Sequence, residues 1–254
     1  MELEKKVALI VGAAGGIGSA IARLFAQEGA AVLLADRDTT ALGALEAELA
    51  ASGYQAKALE LDLTQSSSVE AGVAAGVAAF GGIDLNVNAA GLLRVGRIDE
   101  MSEDDWDLLM SVNVRGVFLT LKHVVPHLKT AGGGVVVNLA SVSAFVGADG
   151  GSAYHASKGA VHSLSLALAQ ELAPFGIRVN SLCPGWVDAG FTRQALREST
   201  DPAGVQAAAR SAHLLGRMAT PKEVAQGALF LASPRASFVT GSGLFIDGGF
   251  MVKR

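Results

Sequence analysis

The segment that ends at Asp36 constrains the fold more than any other part of the chain. An apolar, β-branched run from Val7 to Val11 predicts a strand that is covered on both faces. A glycine-rich segment, Gly12 to Gly18, leads into an amphipathic helix that Gly29 ends, and a second strand then runs to Asp36. A strand, a glycine-rich turn, a helix and a strand ending in an acid are the context of a nucleotide-binding turn.

The chemistry of the turn indicates what it holds. Gly12, Gly16 and Gly18 allow a tight turn and close approach of a pyrophosphate to a helix N-terminus, where N–H groups and the helix dipole attract anions. Asp36 is placed to accept hydrogen bonds from ribose hydroxyls. The glycine spacing differs from the commoner Gly-x-Gly-x-x-Gly pattern, so a plain helix-entry turn is the alternative for this segment taken alone.

The alternation of strands and helices continues along the chain. Further strands are predicted at 55–61, 85–88, 135–140, 177–182 and 244–246. Further helices are predicted at 40–51, at 68–80, at about 103–129, from 221 to about 231, and in the segment that carries Tyr154 and continues through 160–173. Seven strands with crossover helices predict an α/β fold: a Rossmann-type doubly wound parallel sheet with helices on both faces, in a single domain over residues 1–254. The looser segment at about 186–215 is predicted to be a lid over a site.

Composition excludes several classes of protein. The chain has 254 residues, half of them hydrophobic, and a net charge of −4 with no basic block, so nucleic acid is not an expected partner. Cys183 is the single cysteine, which excludes an intrachain disulfide and fits a reducing cytoplasm. Glu2 and Glu4 argue against a signal peptide. No apolar stretch reaches about 18 uninterrupted residues, so we expect a soluble chain without a membrane span.

A tyrosine and a lysine stand four residues apart and therefore on one helix face. A free phenol, with a pKa near ~10, is a poor base at neutral pH, but the Lys158 ammonium could lower the pKa of Tyr154. The pair could then take a proton from an alcohol. Ser141, which closes a predicted strand, could bond the same substrate oxygen. A solvated surface pair is the alternative for this motif alone.

Candidate site residues follow the carboxyl ends of the predicted strands, where such sheets bind ligands. They are the Gly12 turn, Asp36, Asp62, Asn88, Ser141 and Pro184-Gly185. Asp62 either reaches an adenine amino group or caps the next helix. Asn113, inside a predicted helix, either distorts that helix or faces solvent.

Four motifs together resemble those of the short-chain dehydrogenase/reductases, over essentially the whole chain. They are Gly12-x-x-x-Gly16-x-Gly18, Asn88-Ala89-Ala90-Gly91, Ser141 with Tyr154-x-x-x-Lys158, and Pro184-Gly185 after Asn180. The tail from Val239 to Gly243, leading to Asp247-Gly248-Gly249, is also similar. The resemblance implies a homotetrameric, nicotinamide-dependent alcohol dehydrogenase or ketone reductase.

The resemblance also implies roles for individual residues. Tyr154 is the acid/base, Lys158 lowers its pKa and holds the nicotinamide ribose, and Ser141 orients the substrate oxygen. Asn113 completes the catalytic set by positioning a water. The implied cofactor-binding residues are Gly12, Gly16, Ile17, Gly18, Asp36, Arg37, Asp62, Leu63, Asn88, Tyr154, Lys158 and Val187, and the implied substrate-binding residues are Ser141, Ser143 and Tyr154.

The predicted cofactor is NAD, because the Asp36 carboxylate would repel the 2′-phosphate of NADP. Arg37 is the counter-argument, since an arginine there could clamp that phosphate. The predicted substrate is a small, largely apolar secondary alcohol or its ketone, hydroxylated ring compounds included. Its expected pocket is lined by Leu92, Leu93, Ser143, Phe145 and Trp186.

Alternatives within the family are a 3-oxoacyl thioester reductase and a sugar dehydrogenase. Arg94, Arg97 or Asp149, if turned inward, could serve such substrates. A non-catalytic binding protein of the same fold would be expected to have lost Ser141, Tyr154 or Lys158. A metal site is not predicted, because His123 and His127 have no carboxylate or cysteine nearby and are interpreted as helix-surface residues.

Three residues depart from the family pattern. Val11 replaces a usual threonine, Asn86 stands where an aliphatic residue is usual and needs a partner if buried, and Asp188 would repel phosphate unless it turns away. The helix after Lys158 is predicted to cover the sheet and to self-associate through a second apolar face. The sheet face holds Val161, Leu164, Leu168 and Leu172, and the second face holds Leu166, Ala167 and Ala169.

Overall fold

The structure, a computed structural model, describes residues 1–253 apart from the side chain of Glu198. Residue 254, the last of the predicted domain, lies outside this description. Seven parallel strands form one sheet in the order β3-β2-β1-β4-β5-β6-β7, which confirms the predicted fold. The strands are β1 (Val7–Val11), β2 (Ala31–Asp36), β3 (Ala56–Glu60), β4 (Leu85–Asn88), β5 (Gly134–Leu139), β6 (Ile177–Pro184) and β7 (Gly243–Ile246).

Helices cover both faces of this sheet. They are α1 (Gly16–Gln27), α2 (Thr39–Ala51), α3 (Ser66–Phe80), α4 (Glu103–Met110), α5 (Gly116–Thr130), α6 (Ser152–Leu172), α7 (Gly190–Glu198), α8 (Pro202–Ser211) and α9 (Pro221–Ala232). Helices α1, α2 and α9 pack on one face, and α3, α5 and α6 pack on the other. The order of the strands reverses between β1 and β4, and the carboxyl ends of these two strands therefore flank the crevice where such folds bind ligands.

The strand sequences explain the two layers of core. Successive side chains of a strand point to opposite faces, so Ala8 and Ile10 of β1 pack with α1 while Leu9 and Val11 pack on the α3, α5 and α6 side. All four are buried. A strand buried on both faces must be apolar at nearly every position, which is the pattern of β1.

The helix predicted over about 103–129 is interrupted in its middle. Helices α4 and α5 are joined by a π-helical segment, Ser111–Arg115, with Asn113 at its centre. The distortion predicted at Asn113 is therefore confirmed, and the solvent-facing alternative is wrong because Asn113 is buried. The widened turn frees its side chain to bond groups outside the helix.

Helix α4, the π-helical segment and α5 together span Glu103–Thr130. Taken as one helix, this span is the one described helix long and apolar enough to cross a membrane, judged by length and composition. Its apolar side is nevertheless part of the core: Val117, Leu121, Val124 and Leu128 are buried on the α5 face of the sheet. A helix that covers a sheet in this way passes the same test of length and composition.

Candidate active site

A cavity of about 690 Å³ opens at the carboxyl edge of the sheet. It brings together most of the residues that the sequence pointed to, from separate segments between β1 and the part of the chain that follows β6. Among its lining residues are Gly12, Gly16, Ile17, Gly18, Asp36, Arg37, Asp62, Leu63, Ser141, Ser143, Tyr154, Lys158 and Val187. Asn88 and Asn113 do not line it and lie behind its wall.

The glycine turn leaves no room for side chains. Gly12 has a φ of +86°, and a Cβ added to it would lie 2.4 Å from the backbone nitrogen of Ala90. A Cβ on Gly18 would lie 2.0 Å from the carbonyl oxygen of Gly12. Helix α1 begins at Gly16, so its free N–H groups lie at the cavity wall. A pyrophosphate fits the turn, because glycines let the backbone approach it closely.

Asp36 is held in place at the end of β2. Its carboxylate accepts hydrogen bonds from the backbone N–H of Ala14, at 3.2 Å, and from that of Asp38, at 3.2 Å. The first of these bonds ties the carboxylate to the glycine turn. Arg37 lines the same part of the cavity, so a fixed negative charge and a positive charge lie side by side where the sequence predicted ribose recognition.

Asp62 is not the cap of α3. The residue before that helix is Gln65, and the Asp62 carboxylate instead accepts bonds from the N–H of Thr64, at 2.9 Å, and from its hydroxyl, at 2.7 Å. Asp62 precedes the N-cap residue Gln65 by about one helical turn, so its carboxylate is too early in the chain to cap α3. The capping interpretation is therefore wrong, and Asp62 stays at the cavity wall.

Buried amides run beneath the cavity on the α6 side of the sheet. Asn86 donates to the carbonyl of Leu9 at 3.4 Å, so this unusual buried asparagine has its partner. The Asn88 amide donates to Asn86 Oδ1 at 2.9 Å and to Asn138 Oδ1 at 2.8 Å. Asn138 in turn donates to Ser165 Oγ at 2.9 Å. The Asn88 amide nitrogen is thus committed to this chain of bonds, whereas its buried Oδ1 has no partner among the described residues.

Tyr154, Ser141 and Lys158 converge from two elements. Ser141 follows β5, and its hydroxyl is close enough to that of Tyr154, in the first turn of α6, to favour the phenolate. The Ser143 N–H donates to Ser141 Oγ at 3.1 Å, which fixes the serine. Lys158 Nζ donates to the carbonyl of Leu139 at 2.8 Å and lies 5.7 Å from the centre of the Tyr154 ring. The three side chains thus meet in one part of the cavity wall.

Burial dominates the proton affinities of this group. It raises the pKa of Tyr154 to about 12, although the interaction with Ser141 opposes the rise. It also lowers the pKa of Lys158 to about 8. The expectation that Lys158 brings the tyrosine pKa below its usual value is therefore wrong for this structure. Removing a phenolate from water costs more than the interaction with Ser141 returns.

Asn113 lies behind this group and ties it to the loop after β4. Its amide donates to the carbonyl of Leu92 at 2.9 Å and to Ser157 Oγ at 3.0 Å, and its Oδ1 accepts from the Leu92 N–H at 2.7 Å. Ser157 bonds the carbonyl of Tyr154 at 2.8 Å. The sequence analysis did not identify Ser157, although its position next to Lys158 could have indicated a role at the site.

The remaining wall of the cavity is mostly apolar. Leu92, Leu93 and Trp186 line it as predicted, but Phe145 does not. The short 3-10 turn Val142–Ala144 redirects the chain, and the Phe145 ring packs 4.7 Å from that of His162 and 5.0 Å from that of Phe245. The prediction for Phe145 is therefore wrong.

Some lining residues were not predicted, among them His155, Phe191 and Phe250. The ring of Phe191, in α7, meets that of Tyr154 edge-on at 6.3 Å. Phe250 comes from the tail after β7, and no local pattern indicates that a tail residue returns to this cavity. His155 is adjacent to Tyr154 in the sequence, which was a signal that could have found it.

Arg94, Arg97 and Asp188, three charged residues near the cavity, have partners. Arg94 Nε donates to Asp105 at 2.9 Å, and Arg97 pairs with Asp149 at 3.7 Å on the surface. Asp188 is absent from the cavity wall, because its carboxylate is turned toward Arg193 Nε, at 3.1 Å.

Among the side chains that the structure describes, no group of three or more His, Cys, Asp or Glu is arranged to hold a metal ion. His123 and His127, interpreted as surface residues, are both half-buried on α5.

Comparison with known proteins agrees with this geometry. The family model described as enoyl-(acyl carrier protein) reductase matches residues 12–251. Cyclopentanol dehydrogenase of Comamonas testosteroni is 40% identical over 245 residues, which cover 96% of each chain. The 3-oxoacyl-(acyl-carrier-protein) reductase of Thermotoga maritima is 39% identical over 252 residues, covering 99% of this chain and 100% of that one.

Among solved structures, a gluconate 5-dehydrogenase from Burkholderia cenocepacia, in complex with NADP and tartrate, matches with a TM-score of 0.93 at 32% identity. The match covers 100% of this chain and 98% of that one. Fold, site and relatives together define an oxidoreductase that acts on CH–OH groups. The chain belongs to the short-chain dehydrogenase/reductase family, which uses a nicotinamide cofactor.

Proposed function

We propose that this protein is an NAD-dependent dehydrogenase of small, largely apolar secondary alcohols, ring compounds included, or a reductase of the corresponding ketones. The observation that carries the proposal is the environment of the neighbouring Tyr154 and Ser141 hydroxyls. They lie in a cavity whose wall includes apolar side chains such as Leu93, Trp186 and Phe250. Such a wall suits an apolar ring and leaves most hydroxyls of a sugar without partners.

The residues present fit a nicotinamide dinucleotide. The crowded glycine turn suits a pyrophosphate, and the fixed Asp36 carboxylate suits a ribose diol. The same carboxylate disfavours the 2′-phosphate of NADP by like-charge repulsion, although Arg37 beside it is a potential phosphate ligand. The Burkholderia neighbour holds NADP. The cofactor preference of this chain depends on its own Asp36 and Arg37, and we assign NAD as the preferred cofactor because of the Asp36 carboxylate.

In the proposed mechanism the protein moves the proton. The cofactor, when bound, gives or takes the hydride. Because the pKa of Tyr154 is about 12, its hydroxyl is protonated at neutral pH and can donate to a ketone oxygen. Oxidation needs the opposite transfer, which becomes easier as the pH rises. Ser141 holds the substrate oxygen, Lys158 holds the nicotinamide ribose, and Asn113 positions a water that connects Lys158 to solvent.

A 3-oxoacyl thioester reductase is the second candidate, favoured by the Thermotoga relative. It would need cations for the phosphate of the acyl carrier. Arg94 is bound to Asp105 and to the carbonyl of Leu93, and Arg97 is exposed beside Asp149. Neither faces the apolar wall unpaired, so we rank this activity below alcohol oxidation.

Cofactor-linked absorbance tests the choice of substrate. We expect NAD-dependent oxidation of cyclopentanol and aryl secondary alcohols to be more efficient than oxidation of sugars or reduction of acetoacetyl thioesters. The Tyr154→Phe variant gives the background rate. If a sugar or the thioester were preferred by about tenfold or more, the apolar-pocket proposal would be abandoned.

We further propose that residues 186–215 form a lid and that the single-domain chain works as a cytoplasmic homotetramer. Two observations support the lid. Phe191 of α7 reaches the Tyr154 ring, and the Trp186 N–H donates to the buried His213 Nε2 at 3.1 Å, which anchors the segment. Exposed Phe118 and Leu166, on neighbouring helices, support self-association.

A further inference from the structure

We infer that the substrate carries a second hydroxyl group and that His155 recognises it, so that the substrate class is a cyclic diol or hydroxyketone. The inference deepens the proposed function and rests on it. His155 follows Tyr154 in the first turn of α6, is half-buried, and lines the same cavity. Val146 and Gly151, which contact the His155 ring, line the cavity as well.

A backbone bond fixes which nitrogen of His155 carries the hydrogen. Nδ1 is hydrogen-bonded to the carbonyl oxygen of Val146. A carbonyl oxygen can only accept, so Nδ1 must be the donor. In the neutral imidazole, Nε2 is then a lone-pair acceptor with no hydrogen of its own.

That acceptor has no partner among the described residues. The Nε2 edge of the ring lies over the backbone of Gly151, where an added Cβ would be only 2.7 Å from Nε2. The glycine therefore leaves the space that the ring needs. When a substrate fills the cavity and displaces water, an unpaired Nε2 is a penalty for an apolar ligand and a binding contact for a hydroxyl.

Asp36 and Asp62, whose carboxylates also only accept, are assigned to the cofactor, and the other polar groups of the cavity do not impose the same requirement. Tyr154 and Ser141 are neighbours at the place where the reacting oxygen is expected. Arg94 is bound to Asp105, and the Asp149 side chain is 87% exposed beside Arg97. The Ser143 hydroxyl can donate or accept, so it does not require the ligand to be a hydrogen-bond donor. His155 Nε2 accepts only, and it therefore selects a ligand with an O–H at that place over a plain alcohol or a diketone.

The test compares a monoalcohol with diols of the same ring. Catalytic efficiency is measured for cyclopentanol and for the cis and trans 1,2- and 1,3-cyclopentanediols with the wild type, His155→Leu, His155→Gln and the control His127→Leu. We expect the wild type to prefer at least one diol by about tenfold or more. His155→Leu should lose about tenfold on that diol and less than about threefold on cyclopentanol.

The two further variants separate recognition from structure. The side-chain amide that His155→Gln introduces is expected to bond Val146 and still offer an oxygen acceptor, so this variant should recover part of the diol preference. His127→Leu, on α5 and outside the cavity wall, should keep all of it. Equal losses on both substrates in His155→Leu, or loss of the preference in His127→Leu, would overturn the inference.

The wild-type ratio alone decides the matter if the variants do not fold. Turnover of cyclopentanol without preference for any diol overturns the inference and leaves the proposed function standing. Absence of turnover with every alcohol overturns both.

Discussion

Burial, more than charge, sets the proton affinities of Tyr154 and Lys158. The tyrosine keeps its proton up to a pKa of about 12, while the pKa of the lysine falls to about 8. Both shifts favour the neutral form, because burial disfavours the charge of each group. A protonated phenol next to the Ser141 hydroxyl is suited to donating to a ketone, and the reverse reaction should accelerate with rising pH.

Removal of the phenol tests the acid/base role. We expect Tyr154→Phe to abolish turnover with near-normal cofactor affinity, because the ring that packs on Phe191 stays and only the proton donor is lost. Steady-state rates and a cofactor-binding titration measure the two effects. Retention of more than about a hundredth of the wild-type activity would show that another group moves the proton.

The cofactor preference depends on one carboxylate. Asp36→Ala should shift the ratio of NAD to NADP efficiency toward NADP by about tenfold to a hundredfold, since it removes a repulsion of about 1–3 kcal/mol and leaves Arg37 in place. Asp38→Ala is the matched control, because Asp38 caps α2 through the Ala41 N–H and is not in the cavity wall. Wild-type efficiency with NADP equal to that with NAD would contradict the assignment.

At the scale of elements, the glycine turn between β1 and α1 forms the part of the cavity proposed to bind the cofactor. Gly12 crosses from strand to turn with a positive φ and lies against Ala90, which follows β4. Two neighbouring strands and one helix therefore meet at a point where a single methyl group does not fit. The turn depends on the packing of β4 as much as on its own backbone.

A comparison of Gly53 with Gly12 distinguishes the cost of backbone strain from the cost of steric crowding. Gly53, with a φ of +80°, has no described atom within 4 Å of an added Cβ, whereas Gly12 has three atoms within 2.8 Å. We expect Gly53→Ala to cost about 1 kcal/mol of unfolding free energy and Gly12→Ala at least about 3 kcal/mol, with loss of cofactor binding. Denaturant unfolding measures both. Similar costs for the two variants would mean that β1 and β4 separate without penalty.

At the scale of the whole molecule, helices α5 and α6 carry apolar side chains that the chain itself leaves uncovered. Leu166 is 44% exposed and Phe118 is 53% exposed. Ala169, expected on the same outer face, is instead buried in the core, because the helix turns it toward the sheet. The remaining patch is smaller than the sequence predicted but still includes an aromatic side chain.

Light scattering tests the assembly. We expect a particle of about four times the mass of one chain, and a smaller particle for the double variant Phe118→Glu/Leu166→Glu, since a buried unpaired carboxylate is costly. Phe175→Glu, at an exposed aromatic near the opposite edge of the sheet, is the control and should leave the mass unchanged. A wild-type particle of single-chain mass at micromolar concentration would contradict the proposal.

The buried amine of Lys158 makes global stability depend on pH. Below about pH 8 both folded and unfolded states carry the proton; between about 8 and the ordinary lysine pKa of 10.5 only the unfolded state does. Stability therefore rises with pH in this window, by at most about 3 kcal/mol. Lys158→Met removes the titration.

Urea unfolding of both proteins at fixed concentration, from pH 7 to 10, measures the difference. The upper limit avoids the opposite effect of Tyr154, which loses its proton more readily in the unfolded state above pH 10. We expect the wild type to gain stability relative to the variant across this range. Parallel curves would mean that the folded lysine keeps an ordinary pKa.

The sequence by itself determined the sheet, the two layers of helices and the edge where the site lies. These follow from local patterns: apolar runs as in β1, helical periodicity, and the glycines at strand ends. It also indicated the distortion at Asn113, because an asparagine inside a helix competes for backbone bonds.

Only the tertiary structure decided where side chains point and what charge they favour. Phe145 turned from the cavity and Phe250 entered it, since packing between distant segments chose their places. The Asp188 carboxylate forms an ion pair with Arg193. The pKa of Tyr154 rose because desolvation is a property of the assembled core, and no local pattern of residues records how much water that core excludes.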